Sequence, residues 1–254
     1  MIKFFRNIRQ KLLAENKFSR YLVYAIGEIF LVVIGILIAL QINNWNADRH
    51  LLQKEIDILK AFDQQSQSDL AVFDECLNFY AESERAIDVI LYHLENNLPY
   101  NDSLNELFFI STRIFVGSGM ARNVFESLKS DGVSLLSNEN IRGEIVYLYE
   151  EDDAWVTDFE SMYIDFITHA YEDLFLSRFK DFWQGDHMDS KYVNGVMVPL
   201  NYEALKQDQE YLYFLRTQKN FIGWLIQRPI SETRTKIEAL QLDIREEISS
   251  LEEL

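Results

Sequence analysis

One cysteine, three prolines and nine glycines are all that 254 residues hold of the residue types that staple or punctuate a chain. The lone Cys76 cannot form a disulfide within the chain, so cysteine usage says little about compartment. With so few prolines and glycines, few positions interrupt helices, and none lies between Gly35 and Pro99. Chemistry-bearing motifs are missing as well. There is no phosphate-cradling glycine loop, no HExxH helix and no nucleophile elbow, because the glycines beside Ser118 have the wrong spacing. The Glu-x-x-His pairs of di-iron bundles do not occur either. Apolar residues are not scarce: they make up 48%, and aromatics 14%, which supports a packed core and argues against disorder.

Charge is abundant but uneven. The formal net charge is −17. Residues 1–20 carry a local net of +5, and everything after Glu28 carries −21. So acidic a body repels phosphate backbones, which excludes nucleic acid as an expected partner, and it is repelled by an anionic membrane surface.

One long hydrophobic run stands out. Between Tyr21 and Ile42 only Glu28 and Gln41 are strongly polar. At about 1.5 Å per residue, these 22 residues reach about 33 Å, enough for a hydrocarbon core of about 30 Å. Tyr21 and Tyr24 at one end and Trp45 at the other suit the two interfaces. The preceding cations place the N-terminus in the cytoplasm and the remainder across the membrane. The run exceeds a signal-peptide core, and its exit, Ala39-Leu40-Gln41-Ile42-Asn43-Asn44, lacks an A-x-A site, so the segment reads as an uncleaved signal anchor. Ahead of it, Ile2, Phe5, Ile8 and Leu12 recur at helical spacing among cations, as in a basic amphipathic helix lying on the inner leaflet.

Within the span, Glu28, Val32, Gly35, Ala39 and Ile42 share one helical face. Gly35 and Ala39 form a small-xxx-small pair that lets another backbone approach. A carboxyl on the same stripe points to protein rather than lipid. Three readings of Glu28 stay open: solvation at headgroup depth, an oligomer or partner contact, and a proton relay.

The segment KFSRYLVYAIGEIFLVVIGILIALQINNWN, residues 17–46, resembles the opening of an uncharacterised family of Gram-negative bacterial membrane proteins, a domain of unknown function. FESLKSDGVSLLSNENIRGEIVYLYE, residues 125–150, is similar to a later stretch of that family. The resemblance implies a single-pass inner-membrane protein with a helical periplasmic part. It brings no activity, cofactor or catalytic residue.

Beyond the span, Leu52, Ile56, Leu59, Leu70, Phe73, Leu77, Tyr80, Ile87, Leu91 and Leu94 keep a 3–4 spacing, predicting one long helix to Asn96-Asn97. Polar breaks at Asp63 and Ser66 mark 64–68 as its weakest place. Further helices are expected from 103 to 116, from 121 to 130 (stopped by Asp131-Gly132), from 138 to 183 and from 202 to 227, with Pro229 kinking or breaking the chain before a last helix. Residues 192–198 admit a small β-hairpin around Asn194-Gly195. The last helix has a narrow, coiled-coil-like seam that suits packing on residues 52–77. The expected fold is all-α: a basic cytoplasmic segment at 1–20, a transmembrane helix at 21–45 and an antiparallel helical bundle in the periplasm at 46–254.

Three constellations hold residue types that can carry chemistry. Asp165, His169 and Glu172 lie on one helix at ligand spacing but need help from another helix; a solvated face is the simpler reading. Glu150-Glu151-Asp152-Asp153 lacks the alternation of a calcium loop and reads as a solvated, repulsive face. Gly185-Asp186-His187-Met188-Asp189 reads as a surface loop. Cys76 lies on an apolar stretch and reads as core. No cofactor or metal is expected. The favoured function is a non-enzymatic, membrane-anchored interaction or sensing module whose partners are the bilayer and a protein, or a second copy, met through Glu28, Val32, Gly35 and Ala39. Alternatives are a subunit of a proton-driven complex using Glu28 and a metal-dependent enzyme built in the bundle.

Overall fold

The computed structural model describes residues 18–182, 184–185, 188 and 195–253. Helix α1, Phe18–Glu95, is continuous over 78 residues. It is followed by α2 (Leu104–Ser111), α3 (Asn123–Asp131) and α4 (Glu139–Tyr147). A π-helical turn, Leu148–Asp152, joins α4 to α5 (Asp153–His169), and a second, Ala170–Leu174, follows. The short α6 (Tyr202–Leu205) leads to α7 (Gln209–Phe221), a third π turn (Ile222–Gln227) and α8 (Arg228–Glu252). Among the described residues no strand forms, so the fold is all-α, as the periodicity predicts.

The chain divides into two compact units, Met1–Lys54 and Glu55–Leu254. In the first, the apolar side chains of α1 are unburied: Leu31, Val32, Leu37 and Ile38 are each more than half exposed. Arg49 lies over the Trp45 ring, 5.2 Å from its centroid. The expected amphipathic helix over 2–13 and the cations up to Lys17 lie outside the described residues.

In the second unit, the C-terminal helices run antiparallel along α1. Lys60 pairs with Glu252 at 2.6 Å, Asp63 with Arg245 at 2.8 Å and Asp74 with Arg234 at 3.2 Å. Asp88 then meets Lys219 at 2.5 Å and Glu95 meets Arg216 at 2.6 Å, so α7 continues the register that α8 begins. Between these pairs lies the core, where Leu59, Phe62, Phe73, Cys76, Tyr80, Ile87 and Ile90 of α1 are all buried. The expected pairing of the last helix with residues 52–77 is thus found.

Several boundaries differ from expectation. The helix does not break at 64–68. Ser66 is buried, and Asp63 meets α8, with Gln241 Nε2 donating to its carbonyl at 3.1 Å and Arg245 pairing with its carboxylate. Pro229 does not break the chain; it sits in the first turn of α8, directly after a π turn whose wider winding accommodates its missing N–H. α1 ends where expected: Asn97 adopts φ 55°, and Leu98 N donates to the His93 carbonyl at 2.9 Å.

The helix expected over 103–116 stops at Ser111. The one expected from 138 begins as predicted, with Asn138 Oδ1 accepting from Asn140 N and Ile141 N, but its helical winding ends at Ser177. Asp208 interrupts the helix expected over 202–227 by capping α7. Of the hairpin expected over 192–198, residues 192–194 lie outside the described residues. The rest meets an earlier segment instead, with Val196 in an isolated antiparallel bridge to Gln184 and the Val198 carbonyl accepting from Lys180 N at 2.9 Å, next to a second bridge, Phe179–Pro199.

Candidate functional site

Glu28, Val32, Gly35 and Ala39 share the expected face of α1, within the first unit. Glu28 is half-buried, whereas Val32, Gly35 and Ala39 are exposed. A Cβ built on Gly35 would meet nothing within 4 Å, so the small-residue stripe has room for a close neighbour.

In the second unit, a polar constellation holds the segment between α2 and α3. Residues 115–121 form no helix, so their backbone N–H groups need partners from elsewhere. Phe115 N donates to Tyr80 Oη at 3.2 Å. Gly117 N and Ser118 N both donate to Glu160 Oε1, at 2.9 and 3.2 Å. Met120 N donates to Asp153 Oδ1 at 2.7 Å, and Ala121 N to Asp69 Oδ1 at 3.1 Å. Arg122 completes the set, donating to Asp153 Oδ2 at 2.9 Å. Glycine is needed here: Gly117 has φ +88°, and a Cβ on Gly119 would sit 2.7 Å from Thr157 Cγ2. Burial pushes the Asp69 carboxyl above its ordinary range, against hydrogen bonds from Ala121 and Gln65, and the nearby Asp153 charge adds to the rise. This constellation fixes a loop: one oxygen each of Glu160, Asp153 and Asp69 takes the backbone donors, while Asp69 Oδ2 is buried without a hydrogen-bond partner among the described residues.

The acidic run 150–153 is not the solvated face expected from sequence. Asp152 and Asp153 are buried, and the π turn that ends at Asp152 shifts the register so that both face protein. Asp153 joins the loop network, and Asp152 Oδ1 takes Lys236 Nζ of α8 at 2.5 Å. Glu150 stays at the surface with Lys129 at 2.9 Å.

Asp152 and Lys236 border a cleft of about 350 Å³ between α4, its π turn and α8. Tyr147, more than half exposed, and Leu148 and Leu240 give it apolar walls. Gly143 leaves one wall without a side chain, and a Cβ there would meet nothing within 4 Å. Lys236 Nζ lies 5.2 Å from the Tyr147 ring centroid, and Asp152 Oδ2 is buried with no hydrogen-bond partner. Sequence reasoning missed this cleft, because it depends on which face of the run 150–153 turns inward.

The other sequence candidates do not converge. Asp165, His169 and Glu172 are exposed, and His169 Nδ1 contacts the Asp165 carbonyl at 2.7 Å. Among the described residues no group of three or more His, Cys, Asp and Glu has metal-holding geometry. Asp186, His187 and Asp189 lie outside the described residues. Cys76 is fully buried, its thiol pushed up to about 12 by burial and then by Glu160 and Glu75, so it is no thiolate near neutral pH.

Residues 28–151 match a family of unknown function, DUF6090. The DUF6090 stretch includes the face from Glu28 to Ala39, Asp69, the segment 115–121, Gly143 and Tyr147. It ends one residue before Asp152, so the α4 wall of the cleft lies within it and the α8 wall outside. No curated protein and no solved structure matches the chain.

Proposed function

We propose that the protein is a membrane-anchored, non-enzymatic helical interaction module of a bacterial inner membrane, with its N-terminus in the cytoplasm and residues 46–254 in the periplasm. One observation carries this reading. α1 is long and apolar enough to cross a membrane, and no residue of its most apolar stretch is buried by the chain. At about 25 cal/mol per Å² of apolar surface, so much exposure to water is strongly unfavourable, and a bilayer removes it. Residues 55–253 meanwhile hold a core of their own, so the apolar stretch is not needed to complete it.

In this reading Glu28, Val32, Gly35 and Ala39 face a second copy or a partner helix. The open space at Gly35 supports close backbone approach, and a carboxyl on the same stripe favours a protein neighbour over lipid. Cross-linking in the native membrane, read by mass spectrometry, tests it with the wild-type chain and one whose residues 21–42 are poly-Leu. Loss of a cross-linked neighbour in the replacement assigns recognition to the span. An unchanged neighbour assigns it to the bundle. No neighbour in either chain contradicts an interaction module.

A further inference from the structure

We infer that the cleft between α4 and α8 is a binding site for a small organic cation: an ammonium or amidinium head on an apolar body. The inference rests on residues 55–253 being a binding module and does not depend on the anchor.

The geometry points to a cation for three reasons. First, the charged residues lining the cleft are Glu144, Asp152, Asp243 and a single cation, Lys236, so the rim carries an excess of negative charge. Second, Asp152 is 4% exposed, yet its Oδ2 has no hydrogen-bond partner. A buried acceptor without a donor is costly; it has almost no accessible surface, so a ligand N–H meets that need only as Lys236 moves aside. Third, Lys236 already shows how an ammonium is held here. Its Nζ lies 2.5 Å from Asp152 Oδ1 and 5.2 Å from the centroid of the Tyr147 ring, so one charge meets both a carboxylate and an aromatic face. Lys236 is about half exposed, with solvent for its side chain to swing into, and a ligand head that displaces it takes the same pair of partners. The volume of about 350 Å³ suits a small molecule rather than a protein segment, and the apolar walls suit a hydrocarbon body. Gly143 keeps that space open.

The test uses the full chain in lipid nanodiscs, with 4-phenylbutylammonium as probe and 4-phenylbutyrate as its isosteric anion, followed by calorimetry and ligand-observed NMR. Partition into the bilayer is common to all variants and is subtracted. The expected result is saturable binding of the ammonium, with the carboxylate about tenfold weaker or more. Asp152→Asn should weaken ammonium binding about tenfold. Gly143→Leu should abolish it while leaving the melting temperature unchanged or higher, because leucine favours a helix and its side chain enters open space. That variant keeps the test decisive even if Asp152→Asn loses stability. Lys236→Gln should tighten ammonium binding, since the internal competitor is gone; a merely structural Lys236 would leave affinity unchanged. Equal binding of the two probes, binding indifferent to Asp152→Asn and Gly143→Leu, or no saturable binding would overturn the proposal. So would preferred binding of the carboxylate that Lys236→Gln abolishes. None of these results changes the cross-links of the span, so failure of the cleft is distinguishable from failure of the interaction module.

Discussion

Arg245 Nε donates to Asp63 Oδ1 at 2.8 Å across 182 residues of sequence. With Gln241 on the Asp63 carbonyl and Lys60 on Glu252, this pair sets the register of α8 on α1. Both partners are partly solvated, at 47% and 23% side-chain exposure, so the pair contributes more to alignment than to stability. A double-mutant cycle with Asp63→Ala and Arg245→Ala should give a coupling of about 0.2–1 kcal/mol that shrinks with added salt. A coupling unchanged by salt would mean the two side chains communicate through packing instead.

Glu160 serves two backbone donors with one oxygen: Gly117 N, at an exposed residue, and the buried Ser118 N. Glu160→Ala leaves Ser118 N buried without an acceptor and Gly117 N to water, and should cost about 1–3 kcal/mol. Glu160→Gln keeps a carbonyl oxygen in reach and should recover at least half of that loss. Urea melts of the three chains decide the matter; equal destabilisation by Ala and Gln would show that charge, not the acceptor, holds the segment.

Gly119 faces Thr157 Cγ2 and Asp153 Oδ1 so closely that an added Cβ would lie 2.7 and 3.2 Å from them. Gly119→Ala should therefore destabilise the fold by about 1–3 kcal/mol. Thr157→Ser removes the nearer atom and keeps the hydroxyl that donates to the Asp153 carbonyl at 3.0 Å. Combined with Gly119→Ala it should restore most of the stability. A thermal melt in which the double variant is no better than the single one would place the strain elsewhere.

Asp208 caps α7 by accepting from Glu210 N and Tyr211 N, and it also receives Arg178 Nε at 2.7 Å. Burial alone would raise its carboxyl, but Arg178 and the two N–H groups outweigh burial and hold it below its ordinary 3.8. The folded form thus favours the carboxylate, so this stabilisation is complete above the ordinary value and is lost as pH falls through the lower folded value. Asp208→Ala should cost about 1–2 kcal/mol near neutral pH, and the gap to wild type should narrow below about pH 4. A gap that stays constant to about pH 2 would rule out this titration.

The sequence carried the long periodicities well and the local polar bonding poorly. The apolar stripe of α1, the Asn138 cap, the Asp131-Gly132 stop and the α1–α8 pairing were all legible, because each follows from spacing or from a residue with a strong local preference. Residues 112–122 read as partly helical in the sequence and form no helix in the structure. Their backbone is drawn off by Tyr80, Glu160, Asp153 and Asp69, and no window of neighbouring residues reveals donors and acceptors that meet only after folding. The run 150–153 misled for a related reason. One extra residue in the turn Leu148–Asp152 turns two acids inward, and no local pattern announces a π turn. Asp63 reads as a weak point in the stripe because its partners, Gln241 and Arg245, lie in a helix far along the chain.

The most direct test of the anchored module is where the two ends of the full chain lie. The chain is made in Gram-negative cells with a C-terminal epitope tag, membranes are extracted with alkaline carbonate, and spheroplasts are treated with protease. The expected result is a full-length protein that stays with the membrane pellet and loses its tag only when the outer membrane is opened. Release into the alkaline supernatant, a shorter product lacking the apolar stretch of α1, or a tag cut only in inverted vesicles would contradict it.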